Sequence, residues 1–276
     1  QFVGWWNMDF EARPKIIGSA VQRVEDPRLL TGHGRFIDDI MLPRILHVAF
    51  CRSDYAHARI ISINTLDVGA MPGVVGIFTA QDLEDEFKPI RATSRMADYY
   101  ATELGALARG KVRYVGEAVV AVVAQSRYLA EDAAERVFIE YEPLGDAVEP
   151  LANLSNDSPL LHEDAGTNIL VTRTFQRGDV DEAMDGAAVR VRDTFRMHRK
   201  TPTAMENRGY VADYDQGRRT LTLHSTTQIS GIVRDALEEI LDIPGNRLRV
   251  IAPDMGGGFG GKASLYPEEI LVCLLA

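Results

Sequence analysis

Residues 255–262 read Met-Gly-Gly-Gly-Phe-Gly-Gly-Lys. Five glycines around one aromatic add nothing to a core. They cost backbone entropy and belong where the chain needs positive φ or a close approach of its backbone to another group. The octet lies between an apolar strand-like run, Leu248–Ala252, and a helix opened by Pro267. A glycine-rich strand-to-helix connection can turn backbone N–H groups toward an anion. Two general phosphate motifs overlap it. Gly256, Gly258 and Gly261 fit G-x-G-x-x-G, but the sequence ends before the position about twenty residues on where a ribose-binding acid is expected. Gly256 to Lys262 fits most of a P-loop, yet Ala263 stands where Ser or Thr must ligate Mg²⁺, and Ser264 is one position late. The bland alternative is a tight turn.

Strand and helix signals surround this loop. His47–Arg52 and Ala58–Asn64 are predicted strands around a polar turn (Ser53, Asp54), and Met71-Pro72-Gly73 precedes another at Val74–Thr79. Residues 84–111 are charged and predict an irregular connection. Glu117–Ala124 is a Val-rich, buried-type strand. Ser126 can cap a helix to Arg136 with Ala130, Ala133 and Ala134 on one face, and Val137–Glu142 alternates as a half-buried strand. Together they form a strand–helix–strand unit. Pro143, Pro150 and the polar run at 153–158 mark the best linker.

Farther on, Val211–Asp215 and Arg219–Ser225 predict a hairpin turning at Asp215-Gln216-Gly217. Ile229, Ile232, Val233, Ala236, Leu237, Ile240 and Leu241 keep a helical stripe that Pro244-Gly245 should stop. In the last helix Glu268 and Glu269 are placed to favour the dipole, and Ile270–Ala276 is apolar almost all round. Such a helix must be buried, and with no capping glycine or basic last turn the chain is read as cut there.

Of 276 residues, 46% are apolar, enough for a real core, and the net charge of −10 argues against a general nucleic-acid or anionic-membrane binder. Cys51 and Cys273 give neither a disulfide framework nor the four ligands of an iron–sulfur cluster, and are read as reduced, buried small hydrophobes. The six histidines are scattered and are read as structural or solvent-facing. No apolar run approaches a membrane span and no signal peptide opens the chain, so a cytoplasmic location is expected. Trp5 and Trp6 make residues 1–13 either a docked segment or a cloning remnant.

The octet after Leu-Arg-Val-Ile resembles the signature of the molybdenum-binding (large) subunit of the xanthine dehydrogenase/aldehyde oxidase/carbon monoxide dehydrogenase family. Further stretches add to it. Arg23-Val-Glu-Asp-Pro-Arg-Leu-Leu-Thr-Gly, Arg35-Phe-Ile-Asp-Asp, Ser53-Asp-Tyr-Ala-His-Ala-Arg-Ile and Val112-Arg-Tyr-Val-Gly-Glu-Ala-Val resemble its α/β hammerhead domain. Met205-Glu-Asn-Arg-Gly-Tyr and Ser225-Thr-Thr-Gln resemble its first cofactor-binding domain. The resemblance implies an α+β (mixed α/β) fold: an extension at 1–16, a hammerhead domain at 17–147, and the first part of a molybdopterin-binding domain at 148–276.

It also implies hydroxylation of an aldehyde or N-heterocycle-type carbon with water-derived oxygen. The cofactor would be molybdenum on a molybdopterin, in its cytosine dinucleotide form. Iron–sulfur (2Fe-2S) and flavin (FAD) subunits and the remaining part of the molybdenum subunit would be partners. Gln228 matches the glutamine whose amide bonds the molybdenum oxo ligand, its alternative being a cap of the following helix. Phe259 and Gly260 match residues beside the metal's ligands, Phe259 alternatively being a plug under the loop, and Gly256, Gly257 and Gly258 would let the backbone approach the cofactor.

Lys262 is read either as a solvated charge or as structural, and Glu206 and Arg208 either as architectural or as a surface ion pair. Asn207 replaces the usual proline of Met-Glu-Pro-Arg. Ala263 occupies the position of a substrate-binding glutamate in purine-oxidising members, which argues against xanthine. The family's general-base glutamate is expected beyond Ala276, so the chain is expected to be inactive alone. Two other classes compete: a cofactor-free structural or subunit-interaction module of the same fold, and a P-loop-like nucleotide binder.

Overall fold

The computed structural model describes residues 17–92, 94–145, 147–155 and 157–276. The expected extension at 1–16, with Trp5 and Trp6, lies outside the described residues, as does Asn156 of the expected linker. In chain order the strands are β1 (His47–Arg52), β2 (Ala58–Asn64), β3 (Val74–Thr79), β4 (Ile90–Arg91), β5 (Glu103–Leu104), β6 (Lys111–Val112), β7 (Ala118–Ala124), β8 (Phe138–Pro143), β9 (Tyr210–Asp215), β10 (Thr220–Ser225) and β11 (Leu248–Ile251). The α-helices are α1 (Asp26–Leu30), α2 (Arg127–Ala134), α3 (Val180–Asp185), α4 (Ser230–Leu241) and α5 (Pro267–Leu275).

β7 explains most of the first half. It is the centre of an antiparallel sheet, order β1-β7-β3, and is buried along its whole length. Ala118 and Ala121 join a core with Leu221, Leu223, Leu237, Ile270 and Leu271, whereas Val119, Val120 and Val122 join a second core with Ala58, Val112 and Ala133. A strand with two buried faces must read as a continuous apolar run, as this one does. Each fully buried Leu or Val contributes about 1.5–3 kcal/mol. The second core fills the space toward the antiparallel sheet β6-β2-β8, and α2 covers β1 and β7. Ser126 caps α2, its Oγ accepting from Leu129 N at 3.3 Å.

The second half carries one parallel crossover. β10 is central in the sheet β11-β10-β9, antiparallel to β9 and parallel to β11, with α4 between β10 and β11. Val233, Leu237 and Ile240 bury one face of α4, and α5 packs on β9. The chain is therefore mixed α/β.

The expected strand–helix–strand run forms as β7, α2 and β8, its two strands lying in different sheets. Other expectations are corrected by the structure. Residues 84–111 are not wholly irregular: β4 pairs with β5, and β6 begins at Lys111. Ile232, expected on the apolar stripe, is exposed, whereas α4 ends at Leu241 ahead of Pro244-Gly245 as expected, with Asp242 in the left-handed conformation (φ 54°). Cys273 is buried but Cys51 only half-buried, its Sγ donating to Ala134 O at 3.3 Å. Burial pushes the Cys51 thiol up to about 11 and Cys273 to about 12.

Candidate functional site

The glycine loop starts where β11 ends, and one carboxylate meets both its ends. Gly256 N donates to Glu206 Oε2 at 2.8 Å, Lys262 Nζ lies 3.2 Å from the same oxygen, and Glu206 N donates to Gly256 O at 3.2 Å. Lys262 is only 4% exposed, so it is structural and not a solvated charge. Glu206 pairs with Lys262, not with Arg208, whose guanidinium sits 3.6 Å over the Tyr266 ring. Tyr266 in turn donates its hydroxyl to Gly261 O.

Gln228 holds the middle of the loop. It follows β10 through buried Ser225, Thr226 and Thr227, and its N–H donates to Lys262 O at 2.9 Å. Its Oε1 accepts from Gly260 N at 3.0 Å and from Lys262 N at 3.4 Å. Two N–H donors on one side-chain atom fix that atom as oxygen. The amide NH₂ then faces away without a protein acceptor among the described residues. The helix-cap alternative fails: α4 begins after Ile229 without a side-chain cap.

Gly261 N closes a turn on Gly258 O at 2.8 Å, and Ala263 N donates to Gly260 O. Among the described residues, no protein acceptor meets the N–H groups of Gly257, Gly258 and Phe259. Gly257 (φ 102°) and Gly260 (φ 87°) need the left-handed region, and a Cβ on Gly258 would meet Gln228 Cδ at 2.6 Å. Phe259 also has positive φ (50°), which is strained for an aromatic, and it is 77% exposed. It is not a plug under the loop. Gly260 has nothing within 4 Å of a built Cβ, so Phe259 and Gly260 form the open rim.

The loop's entry is tied to the N-terminal part of the chain. Asp254 accepts from Arg28 Nη2 at 2.6 Å and from Arg35 N at 2.7 Å, and donates its own N–H to Arg35 O. The Arg28 guanidinium, helped by that amide, holds the Asp254 carboxyl down at about 2. Sequence reasoning missed this pair and the Glu206–Lys262 pair. Partners 226 and 56 residues apart leave no local spacing signal.

Glu268 and Glu269 do more than favour a dipole. Both are buried: Glu268 accepts from Arg52 Nη2 at 2.7 Å, and Glu269 accepts from Ser225 Oγ at 2.6 Å and from Tyr266 N at 2.9 Å. Desolvation nonetheless raises the Glu269 pKa above the ordinary carboxylate value, and the neighbouring Tyr210 hydroxyl is raised by burial too. The P-loop reading loses its geometry as well as its hydroxyl, since α5 starts at Pro267 and not at Lys262. Among the described residues no group of three or more His, Cys, Asp or Glu side chains could hold a metal ion, and no helix is long and apolar enough to cross a membrane. His57 is buried, with Nδ1 2.7 Å from Gly145 O.

Comparison with known proteins bears on these features. Residues 31–145 match the family described as the aldehyde oxidase and xanthine dehydrogenase a/b hammerhead domain, and residues 161–276 match the molybdopterin cofactor-binding domain. The chain is 39% identical to the nicotine 6-hydroxylase large subunit of Paenarthrobacter nicotinovorans over 94% of its own length and 32% of the relative's. It is 37% identical to the carbon monoxide dehydrogenase large chain of Afipia carboxidovorans, covering 91% of itself and 32% of that chain. Among solved structures it superposes on quinoline 2-oxidoreductase from Pseudomonas putida 86 with a TM-score of 0.89 at 40% identity, covering 94% of itself and 33% of that chain. The chain thus spans about a third of the length of the relatives it matches. Two domain matches that together cover most of the chain, with relatives 39% and 37% identical, settle the assignment: the chain belongs to the molybdenum-binding large-subunit family of xanthine dehydrogenase, aldehyde oxidase and carbon monoxide dehydrogenase.

Proposed function

We propose that residues 205–263 supply one wall of the molybdenum–pterin pocket of a hydroxylase. The observation that carries this reading is the set of donors left over once the loop is folded. Gly257, Gly258 and Phe259 present three consecutive N–H groups, and Gln228 presents an amide NH₂, all neutral and without protein acceptors among the described residues. Neutral donors held in fixed positions suit an electron-rich oxygen or sulfur ligand without adding charge. The residues present therefore fit the group. Gln228 would hold a ligand of the metal, Gly256, Gly257 and Gly258 would let the backbone approach, and Phe259 and Gly260 would border the reacting centre.

When bound, the molybdenum cofactor supplies two-electron redox chemistry and activated water-derived oxygen for hydroxylation. The chain's own residues bind and orient. Gln228 donates where negative charge gathers, and Phe259 shields the open rim from water. Glu206, Glu268 and Glu269 are each engaged in hydrogen bonds or an ion pair that hold the fold. On this reading none of the three serves as the general base, and the chain is inactive alone. The catalytic glutamate and the rest of the pocket belong to the part of the subunit that the relatives possess and these residues do not match.

The substrate is an aldehyde or N-heterocycle-type carbon, in keeping with relatives named for nicotine and quinoline. Ala263, whose methyl group cannot bond a purine, argues against xanthine. The cytosine dinucleotide form of the cofactor, partner subunits carrying 2Fe-2S and FAD, and a cytoplasmic site of action complete the proposal. The domain boundary at 147/148 is likewise proposed.

In the complete subunit, Gln228→Ala should retain pterin and molybdenum while slowing hydroxylation by about 10²-fold, the usual cost of one preorganised donor. An unchanged rate would remove Gln228 from the site.

A further inference from the structure

We infer that Glu206 and Lys262 are positioning residues: a buried ion pair that clamps both ends of the glycine loop and so sets the direction of the free N–H groups at 257–259. This inference rests on the reading of the loop as a cofactor wall. Several features separate the pair from a surface ion pair. The Lys262 side chain is 4% exposed and that of Glu206 15%, so neither charge is well solvated. The Glu206 carboxylate gathers donors from three places. Oε2 takes Gly256 N at the loop's start and Lys262 Nζ at its end, and Oε1 takes Ile37 N, 3.4 Å away in the N-terminal half.

Backbone and side chain act together. Glu206 N donates to Gly256 O while its carboxylate accepts from Gly256 N, so residue 256 is gripped from both polar sides. A Cβ on Gly256 would lie 2.5 Å from Glu206 Cβ, so glycine is required for that approach. Lys262 is held at its other atoms by Gln228, which accepts from its N–H and donates to its C=O. The cation therefore links the Glu206 anchor to the Gln228 anchor. Between the two anchors the backbone has one internal bond, Gly261 N to Gly258 O, and otherwise follows the glycines' freedom. Released at either end, the loop would lose the alignment of its donors.

Burying two charges is a weak stabiliser overall, but removing one partner strands the other. Hydrogen–deuterium exchange on this chain, comparing wild type, Glu206→Gln, Lys262→Met and the double variant, tests the clamp. Each single variant should raise exchange in peptides covering 255–262 by roughly tenfold while β7 stays as protected as in wild type. The double variant should exchange less than the sum of the singles requires, because no charge is stranded. Unchanged loop exchange in both singles, or strictly additive effects, would overturn the clamp. If a single variant does not fold, Glu206→Asp, which keeps the charge and shortens its reach, replaces it under the same criteria. Molybdenum content is read separately: an assembled wild-type subunit without molybdenum would sink the functional reading and leave the clamp standing.

Discussion

Among the stretches without regular structure, the loop at 255–262 and the segment at 187–204 could hardly differ more. The loop at 255–262 is pinned by Glu206, Gln228 and Tyr266, with buried Lys262 at its end. The stretch at 187–204 alternates apolar and polar, with Val189, Val191, Phe195 and Met197 in register, yet all four of those side chains are exposed and no strand forms. Strand-like alternation in 187–204 yields no strand, and among the described residues no strand pairs with it. The glycines, the least structured residues by propensity, are held in one geometry because polar partners meet them. Irregular backbone is fixed by what accepts and donates around it, not by local propensity.

The largest effect should come from filling the loop's closest approach. Gly256→Val places its Cβ 2.5 Å from Glu206 Cβ and 3.3 Å from Glu206 N. Overpacking against backbone should cost about 1–3 kcal/mol in a denaturant titration. An unchanged midpoint would show that the loop is not held as described.

A smaller, pH-dependent effect should appear at the loop's entry. Asp254 titrates at about 2 in the folded chain against an ordinary value of 3.8. A depressed carboxylate stabilises above its unfolded pKa, and that contribution is lost as pH falls from about 4 toward 2. Asp254→Asn should be less stable than wild type at neutral pH, with the difference shrinking across that window. A difference that does not shrink at acid pH would mean that the Arg28 pair is not the cause.

The smallest effect should lie in the other stretch. Val189→Thr, Val191→Thr and Phe195→Thr should each change stability by no more than about 0.5 kcal/mol, as surface substitutions do. A loss near that of Gly256→Val would show that the stretch is packed and would break the comparison.

Much of this is legible in the sequence. β7 announced itself as a continuous Val-rich run, the hairpin β9–β10 by its turn, and α2 by its serine cap. The glycine loop was visible as chemistry because five glycines have no packing purpose. What was not visible depends on pairings at long range. Asp254 with Arg28 and Glu206 with Lys262 are made by the fold, and the adjacent Arg208 offered a nearer, wrong partner for Glu206. Phe259 is not a plug because it is 77% exposed, with a positive φ, and hydrophobicity reports neither. The end of α4 is legible too: the helix stops at Leu241, the last residue of the apolar stripe and just ahead of Pro244-Gly245, although the left-handed Asp242 that ends it leaves no signal in the sequence.

Molybdenum measured per mole of protein, by elemental analysis alongside intact mass, tests the central claim most directly. The chain alone should carry far less than one equivalent, and the chain assembled with the remainder of a molybdenum subunit should carry one. Full occupancy in the isolated chain would contradict the claim that it forms only part of the pocket, and none in the assembly would contradict the claim that it forms any.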